Sequence, residues 1–253
     1  MSQSGAHPAR ESSESKGTLR VVQLYPRDMN IYGDWGNALV LKQRIRWHGY
    51  TPELLEYNVG DPFPEDIDII VGGGGQDSGQ LIIQDDLQAR AGALKDLAED
   101  GAPMLVICGL YQLFGKFFKT RTGAVIPGIS VLDVETHGTD ERLIGNVKVS
   151  TPEFGEVLGY ENHSGQTTLG GSVRPLGTVA KGTGNNSSDG HEGARYRNIV
   201  ASYLHGSLLP KNPAIADFLI RTAAERKFGA FVPGSPDDHY AELAREHSAR
   251  RPR

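Results

Sequence analysis

The chain has 253 residues, 38% of them hydrophobic, with a formal charge of −5 and a pI near 5.9. That length suffices for one large α/β domain or two small ones. The acidic balance, with no basic groove interleaved with aromatics, argues against nucleic acid and for a small substrate. A single cysteine excludes an internal disulfide and fits a reducing compartment. No Cys or His cluster has metal-ligand spacing, and no apolar run approaches membrane-spanning length. The cytoplasm is the expected location.

Residues 1–17 are rich in Ser, Glu and Ala without an apolar core, and are expected to form a disordered tail rather than a signal peptide. Order is predicted to begin with a strand from Leu19 to Tyr25, closed by Pro26. The polar loop Asp28 to Asn37 carries Tyr32 and Trp35 and leads into a helix from about Ala38 to Trp47. A loop after a first strand commonly faces a ligand, although these aromatics serve equally well as a cover for the sheet edge. Strands follow at Glu53 to Tyr57 and Ile67 to Val71.

Gly72-Gly-Gly-Gly75 comes directly after the second of these strands. Its backbone N–H groups suggest an anion nest or an oxyanion hole centred on Gly74. Neither this run nor Lys181-Gly-Thr-Gly184 has the G-x-x-x-x-G-K-[ST] pattern of an ATP site. A helix is predicted from Leu81 to Glu99, then a buried strand from Met104 to Ile107.

Cys108 follows that strand at once and precedes a helix predicted from Leu110 to Phe118. In most intracellular proteins a lone cysteine after aliphatic residues is a small buried hydrophobe. Here the strand-to-helix bend exposes the side chain at a helix N-terminus, which favours a nucleophilic thiolate, and Gly109 permits close approach. The strand, glycine loop, helix, strand order implies a doubly wound, mostly parallel α/β sheet of flavodoxin-like type with helices on both faces. Gly74 and Cys108 are then expected at one crevice.

From Ile129 the pattern becomes antiparallel and hairpin-rich, with short strands at Ile129 to Val134, Leu143 to Val149, Val157 to Glu161 and Val173 to Val179. Gly182 to Gly193 is expected to be a mobile loop. Asn198 to Leu204 is a strand that His205-Gly206 closes, and a helix is predicted from about Asn212 to Lys227. The domain is thus expected to occupy residues 18–228, with residues 229–253 a charged tail or loose helix. A cysteine with a distant histidine in an α/β chain fits a nucleophile and its general base.

Cys108-Gly-Leu-Tyr-Gln112-Leu-Phe-Gly115 resembles the nucleophile segment of class I, triad-type glutamine amidotransferase domains, in the branch that includes cobyric acid synthase. Gly159-Tyr-Glu-Asn-His163-Ser-Gly165 resembles a second signature of that branch, and the loops at Asn30 to Asn37, Gly73 to Asp77 and Ser202 to Asn212 extend the likeness over residues 19–228. A short free-standing domain with the Asn30 loop is similar to the glutaminase subunits of lipid II isoglutaminyl synthases. The resemblance implies that Cys108 is the nucleophile, His205 its base, and Arg142 the holder of the substrate glutamine. Gly74 and Gly109 would supply the oxyanion hole. No cofactor is implied in this chain; ATP and Mg are expected on a Mur-ligase-like synthetase partner, in a heterodimer that amidates the D-glutamate α-carboxylate of lipid II.

Two features depart from the wider class. Val106 and Leu110 stand where many members have glycine, as in the cobyric-acid branch. Ser207 lies where the usual His-x-Glu ending has its carboxylate, so the expectation is that a partner carboxylate completes the triad, with Glu161 a weaker internal candidate. A stand-alone cysteine hydrolase of γ-glutamyl compounds and a non-catalytic glutamine sensor are the other readings of these residues.

Overall fold

The computed structural model describes residues 15–252. The expected tail lies outside the described residues up to position 14, whereas Lys16 already joins the fold through its N–H to Gly49 O at 3.0 Å. The main sheet contains β1 (Thr18–Leu24), β2 (Thr51–Tyr57), β3 (Ile69–Gly72) and β4 (Met104–Ile107). Its central strands β3 and β4 are wholly apolar and fully buried, as a sheet covered on both faces requires.

Helices α1 (Trp35–Trp47), α2 (Asp77–Ala89), α3 (Ala91–Glu99) and α4 (Gly109–Phe114) fill the connections. The single helix expected over 81–99 is two, broken at Arg90, whose guanidinium turns to the Tyr57 hydroxyl at 2.9 Å. The helix expected over 110–118 stops at Phe114. Gly115 passes so close to Val134 that a Cβ there would lie 2.6 Å from its side chain, and β5 (Phe117–Lys119) follows.

A second sheet is built from β5, β6 (Val125–Pro127), β7 (Val134–Thr151), β8 (Gly155–Leu169), β9 (Gly177–Lys181) and β10 (His191–Glu192). The expected short strands at 143–149 and 157–161 belong to one long antiparallel hairpin of β7 and β8, and residues 129–133 are not a strand. The chain then returns to the main sheet as β11 (Ala194–Tyr196) and β12 (Ile199–Ser202). The main sheet runs β11-β12-β4-β3-β1-β2, parallel throughout except for the β11 edge. With β12 counted as the fifth parallel strand this is the 2-1-3-4-5 order of flavodoxin-like folds.

The 182–193 segment is anchored rather than loose. Asn185 is buried and bonds both the N–H and the C=O of Gly193, at 2.9 and 2.8 Å, and takes the Tyr111 hydroxyl. After α5 (Pro213–Phe228), the charged C-terminal segment folds back as α6 (His239–Arg250). Arg245 there bonds the carbonyls of Lys211, in the turn before α5, and of Glu156 in β8, at 2.8 and 2.7 Å. No described helix is long and apolar enough to cross a membrane.

Candidate active site

Four neighbouring parallel strands, β12, β4, β3 and β1, send their C-terminal loops to one crevice. Cys108 continues β4, its N–H bonding Ser202 O at 2.8 Å, and then turns sharply with φ 49° and ψ −102°. For a non-glycine residue such a backbone costs about 1–3 kcal/mol, and here it points the thiol out of the sheet. Cys108 is 7% exposed yet lines a cleft of about 310 Å³ together with Tyr32, Gly75, Gln112, Arg142 and His163. The expected elbow is present. Helix α4 behind it has only six residues, so its dipole is a lesser influence on the sulfur than a neighbouring cation.

That cation is His205. It lies just beyond β12, its N–H held by Tyr160 O of the second sheet at 2.7 Å and its ring met edge-on by Tyr32 at 4.5 Å. A Cβ built on Gly74 would lie 2.6 Å from His205 Cε1 and 3.1 Å from Cys108 Cβ, so imidazole and cysteine flank the same point. Burial disfavours the imidazolium, but the charges of Cys108 and Asp34 outweigh it and raise His205 to about 10. At neutral pH the His205 imidazole is therefore held as imidazolium beside the sulfur.

The glycine run acts differently from the expected nest. None of Gly72 to Gly75 has positive φ; they are glycines because no Cβ fits. At Gly73 it would meet Met29 O at 2.4 Å. Gly74 does not supply an oxyanion donor, because its N–H donates to Asp34 Oδ2 at 2.7 Å. Among the described residues the N–H groups of Gly75 and Gly109 have no protein acceptor, and Gly75 N would lie 2.9 Å from a Cβ at Gly109. Of the expected donors, Gly109 is thus free and Gly74 is not, and Gly75 offers a second free N–H beside Gly109.

Arg142 reaches the cleft from a bulge in β7, with Nε donating to Asn162 Oδ1 at 2.8 Å and Nη2 3.4 Å from the Tyr32 hydroxyl. A guanidinium held this way is preset for a carboxylate. His163, from the second signature, forms part of the wall. Its ring stacks on Tyr203 at 3.7 Å, and burial, partly offset by a bond to Gly165 O, lowers its pKa to about 4. Glu161, the weaker candidate for the orienting acid, accepts the N–H groups of Thr183 and Gly184, at 3.0 and 2.7 Å.

Sequence reasoning missed Asp34. It is 4% exposed, and its Oδ2 lies 3.5 Å from Nδ1 of the 1%-exposed His205. The signal was available only as an acid inside the Asn30 to Asn37 loop. Ser207, standing where an acid was missed, donates its hydroxyl to Gly33 O at 2.7 Å.

A cysteine on a strained strand-to-helix elbow, a histidine from the adjacent strand and free backbone donors on a flavodoxin-like sheet define a cysteine amide hydrolase of the class I amidotransferase type. The chain belongs to the CobB/CobQ-like glutamine amidotransferase domain family, whose model matches residues 20–213. It is 37% identical over 221 residues to the lipid II isoglutaminyl synthase (glutamine-hydrolyzing) subunit GatD of Staphylococcus aureus, covering 87% of this chain and 90% of that protein. The protein of the same name from Streptococcus pneumoniae is 37% identical over 235 residues, with 91% and 90% covered. A crystal structure of a glutamine amidotransferase shares the fold with TM-score 0.56 at 14% identity, over 80% of this chain and 98% of that one.

Proposed function

We propose that this chain is the glutaminase subunit of a two-protein lipid II isoglutaminyl synthase. It hydrolyses L-glutamine and passes ammonia to a Mur-ligase-like, ATP- and Mg-dependent partner in the cytoplasm, which amidates the D-glutamate α-carboxylate of lipid II. The carrying observation is the 37% identity to two subunits of that name over 90% of their length. The placement of Cys108 and Arg142 on one cleft, with His205 beside Cys108 at Gly74, supports it.

Arg142 pairs with the α-carboxylate of glutamine and directs the side-chain amide to Cys108. The thiolate adds to the amide carbon, and the oxygen takes the negative charge between the N–H groups of Gly75 and Gly109. Such a donor is typically worth about 2.7–4 kcal/mol in the transition state. The His205 imidazolium gives its proton to the amide nitrogen, the C–N bond breaks, and ammonia leaves a γ-glutamyl thioester. Neutral His205 then takes a proton from water, which adds to the thioester. Collapse releases glutamate and restores the thiolate.

Ammonia release measured for wild type and Cys108→Ala, alone and co-purified with the synthetase, tests the reading. Release that needs Cys108, together with capture of a Mur-ligase-like chain from the native host, is the expected result. An alanine variant that still releases ammonia at the wild-type rate overturns the catalytic assignment, and capture of a different synthetase overturns the cell-wall assignment alone.

A further inference from the structure

Tyr32 lines the same cleft as Cys108 and Arg142, and the mechanism above leaves its hydroxyl unused. It stands on the loop after β1, and that loop is fixed on both sides of it. Ile31 N–H bonds Gly74 O at 3.0 Å, Gly33 N–H returns to Asn30 O at 3.2 Å, Gly33 O accepts the Ser207 hydroxyl at 2.7 Å, and Asn30 Oδ1 takes Trp35 N–H at 2.8 Å. The side chain is half-buried, its ring set against the ring of His205 with centroids 4.5 Å apart and planes at 68°. A tied backbone and a ring seated on a buried neighbour leave the phenol oxygen little freedom. Tyrosine has few torsions to lose, so a polar group is placed here at low entropic cost.

From the main-sheet side the ring reaches across to the second sheet, where its oxygen meets Arg142 Nη2 at 3.4 Å. The direction of that contact decides what the hydroxyl can still do. A guanidinium only donates, so the Tyr32 oxygen is the acceptor and its own O–H is left over. Among the described residues that proton has no acceptor. A hydroxyl polarised by a cation on its oxygen is the stronger donor. Arg142 Nε is meanwhile taken by Asn162 Oδ1 at 2.8 Å, and the guanidinium has no carboxylate partner among the described residues. The fork therefore meets a ligand with Nη1 and Nη2, and Nη2 is the nitrogen beside the phenol. An anion paired there lies within reach of the Tyr32 O–H, whereas an ammonium group is repelled by the guanidinium and offers the phenol no lone pair.

We propose that Tyr32 is a specificity-determining residue for the amino-acid end of the substrate: its O–H donates to the α-carboxylate paired with Arg142, and the two side chains close one clamp from opposite sheets. This rests on the reading of the chain as a glutaminase with Arg142 as the carboxylate holder. The long Arg142 contact is what an unliganded clamp shows, since such bonds tighten when the substrate arrives. An amide whose carboxylate is absent or blocked gives neither group anything to hold. Phenylalanine at this position would keep the ring on His205 and remove only the donor.

Steady-state ammonia release from L-glutamine by wild type, Tyr32→Phe, Arg142→Ala and the double variant, each co-purified with the synthetase, tests the clamp. Tyr32→Phe should raise KM about tenfold or more, the size expected for losing a hydrogen bond to a charged group, with kcat within about threefold of wild type. In the Arg142→Ala background the same exchange should change KM by less than about twofold, because the carboxylate is no longer held beside the phenol. A Tyr32→Phe enzyme whose KM stays within about twofold of wild type overturns the proposal. So does an equal rise in KM in both backgrounds, or a loss confined to kcat, which would put the effect of the hydroxyl at His205 instead. If Arg142→Ala releases too little ammonia to measure, KM and kcat of Tyr32→Phe decide alone. Each of these outcomes leaves the glutaminase reading standing; that reading fails separately, through ammonia release that survives Cys108→Ala.

Discussion

Adding one methyl group at Gly74 separates steric from conformational reasons for the glycine run. The backbone at Gly74 is open to any L residue, since its φ is not positive, so Gly74→Ala brings no torsional strain. What it brings is a Cβ 2.6 Å from His205 Cε1, 3.1 Å from Cys108 Cβ and 3.4 Å from Asp34 Oδ2. Carbon pairs rest about 3.5–4.0 Å apart, so the imidazole has to move by roughly 1 Å. It has little room to do so, with Tyr32 edge-on at 4.5 Å and the backbone of His205 pinned by its N–H to Tyr160 O at 2.7 Å. Overpacking of this kind costs about 1–3 kcal/mol of stability. Displacing a catalytic group by about 1 Å costs on the order of 10² in rate. The variant should therefore fold with a lowered melting temperature and lose about 10²-fold in kcat for ammonia release. A folded Gly74→Ala enzyme within a factor of two of wild type would refute the placement of His205 and Cys108 around this glycine.

Arg142→Lys keeps the charge but loses the planar fork held by Asn162 and Tyr32. Hydrogen bonds to charged groups are worth about 1.5–3 kcal/mol, so steady-state kinetics should show KM for glutamine raised roughly 10- to 150-fold with a smaller change in kcat. His163 titrates at about 4 in the fold against an ordinary 6.5, so the unfolded chain binds more protons between these values and stability falls as pH drops through them. The slope is about 1.4 kcal/mol per pH unit and the total about 3 kcal/mol. Urea titrations at pH 7.5 and 4.5 should show this loss in wild type and less of it in His163→Phe, which keeps a ring on Tyr203; equal losses would contradict the assignment.

The apolar runs at 69–71 and 104–107 made the parallel sheet legible, because strands buried on both faces must be continuously hydrophobic. Cys108 was legible for the same reason: a polarizable nucleophile directly after such a run and before a helix has few places to go. The β7–β8 hairpin was read in fragments because Gly138, Gly145, Gly159 and Gly165 punctuate it. Tertiary packing overrides that punctuation, with Gly159 pressed against Leu204 and Gly165 over Gln112. Asp34 and the engagement of the Gly74 N–H were not legible. Both depend on a loop after the first strand folding onto the loop after the third, a contact of 40 residues' separation that no local pattern encodes.

Tyr160, Asn162 and Arg142 all belong to the β7–β8 arm, and Tyr160 is the strut on which His205 hangs. Whatever pulls on Arg142 acts through Asn162, two residues along β8 from Tyr160 and so from the backbone tie of His205, while the sulfur rides on a different sheet. A full-length amino acid loads this lever at its far end. A clipped amide that reaches the sulfur without touching Arg142 leaves it slack, and should turn over slowly even at saturation.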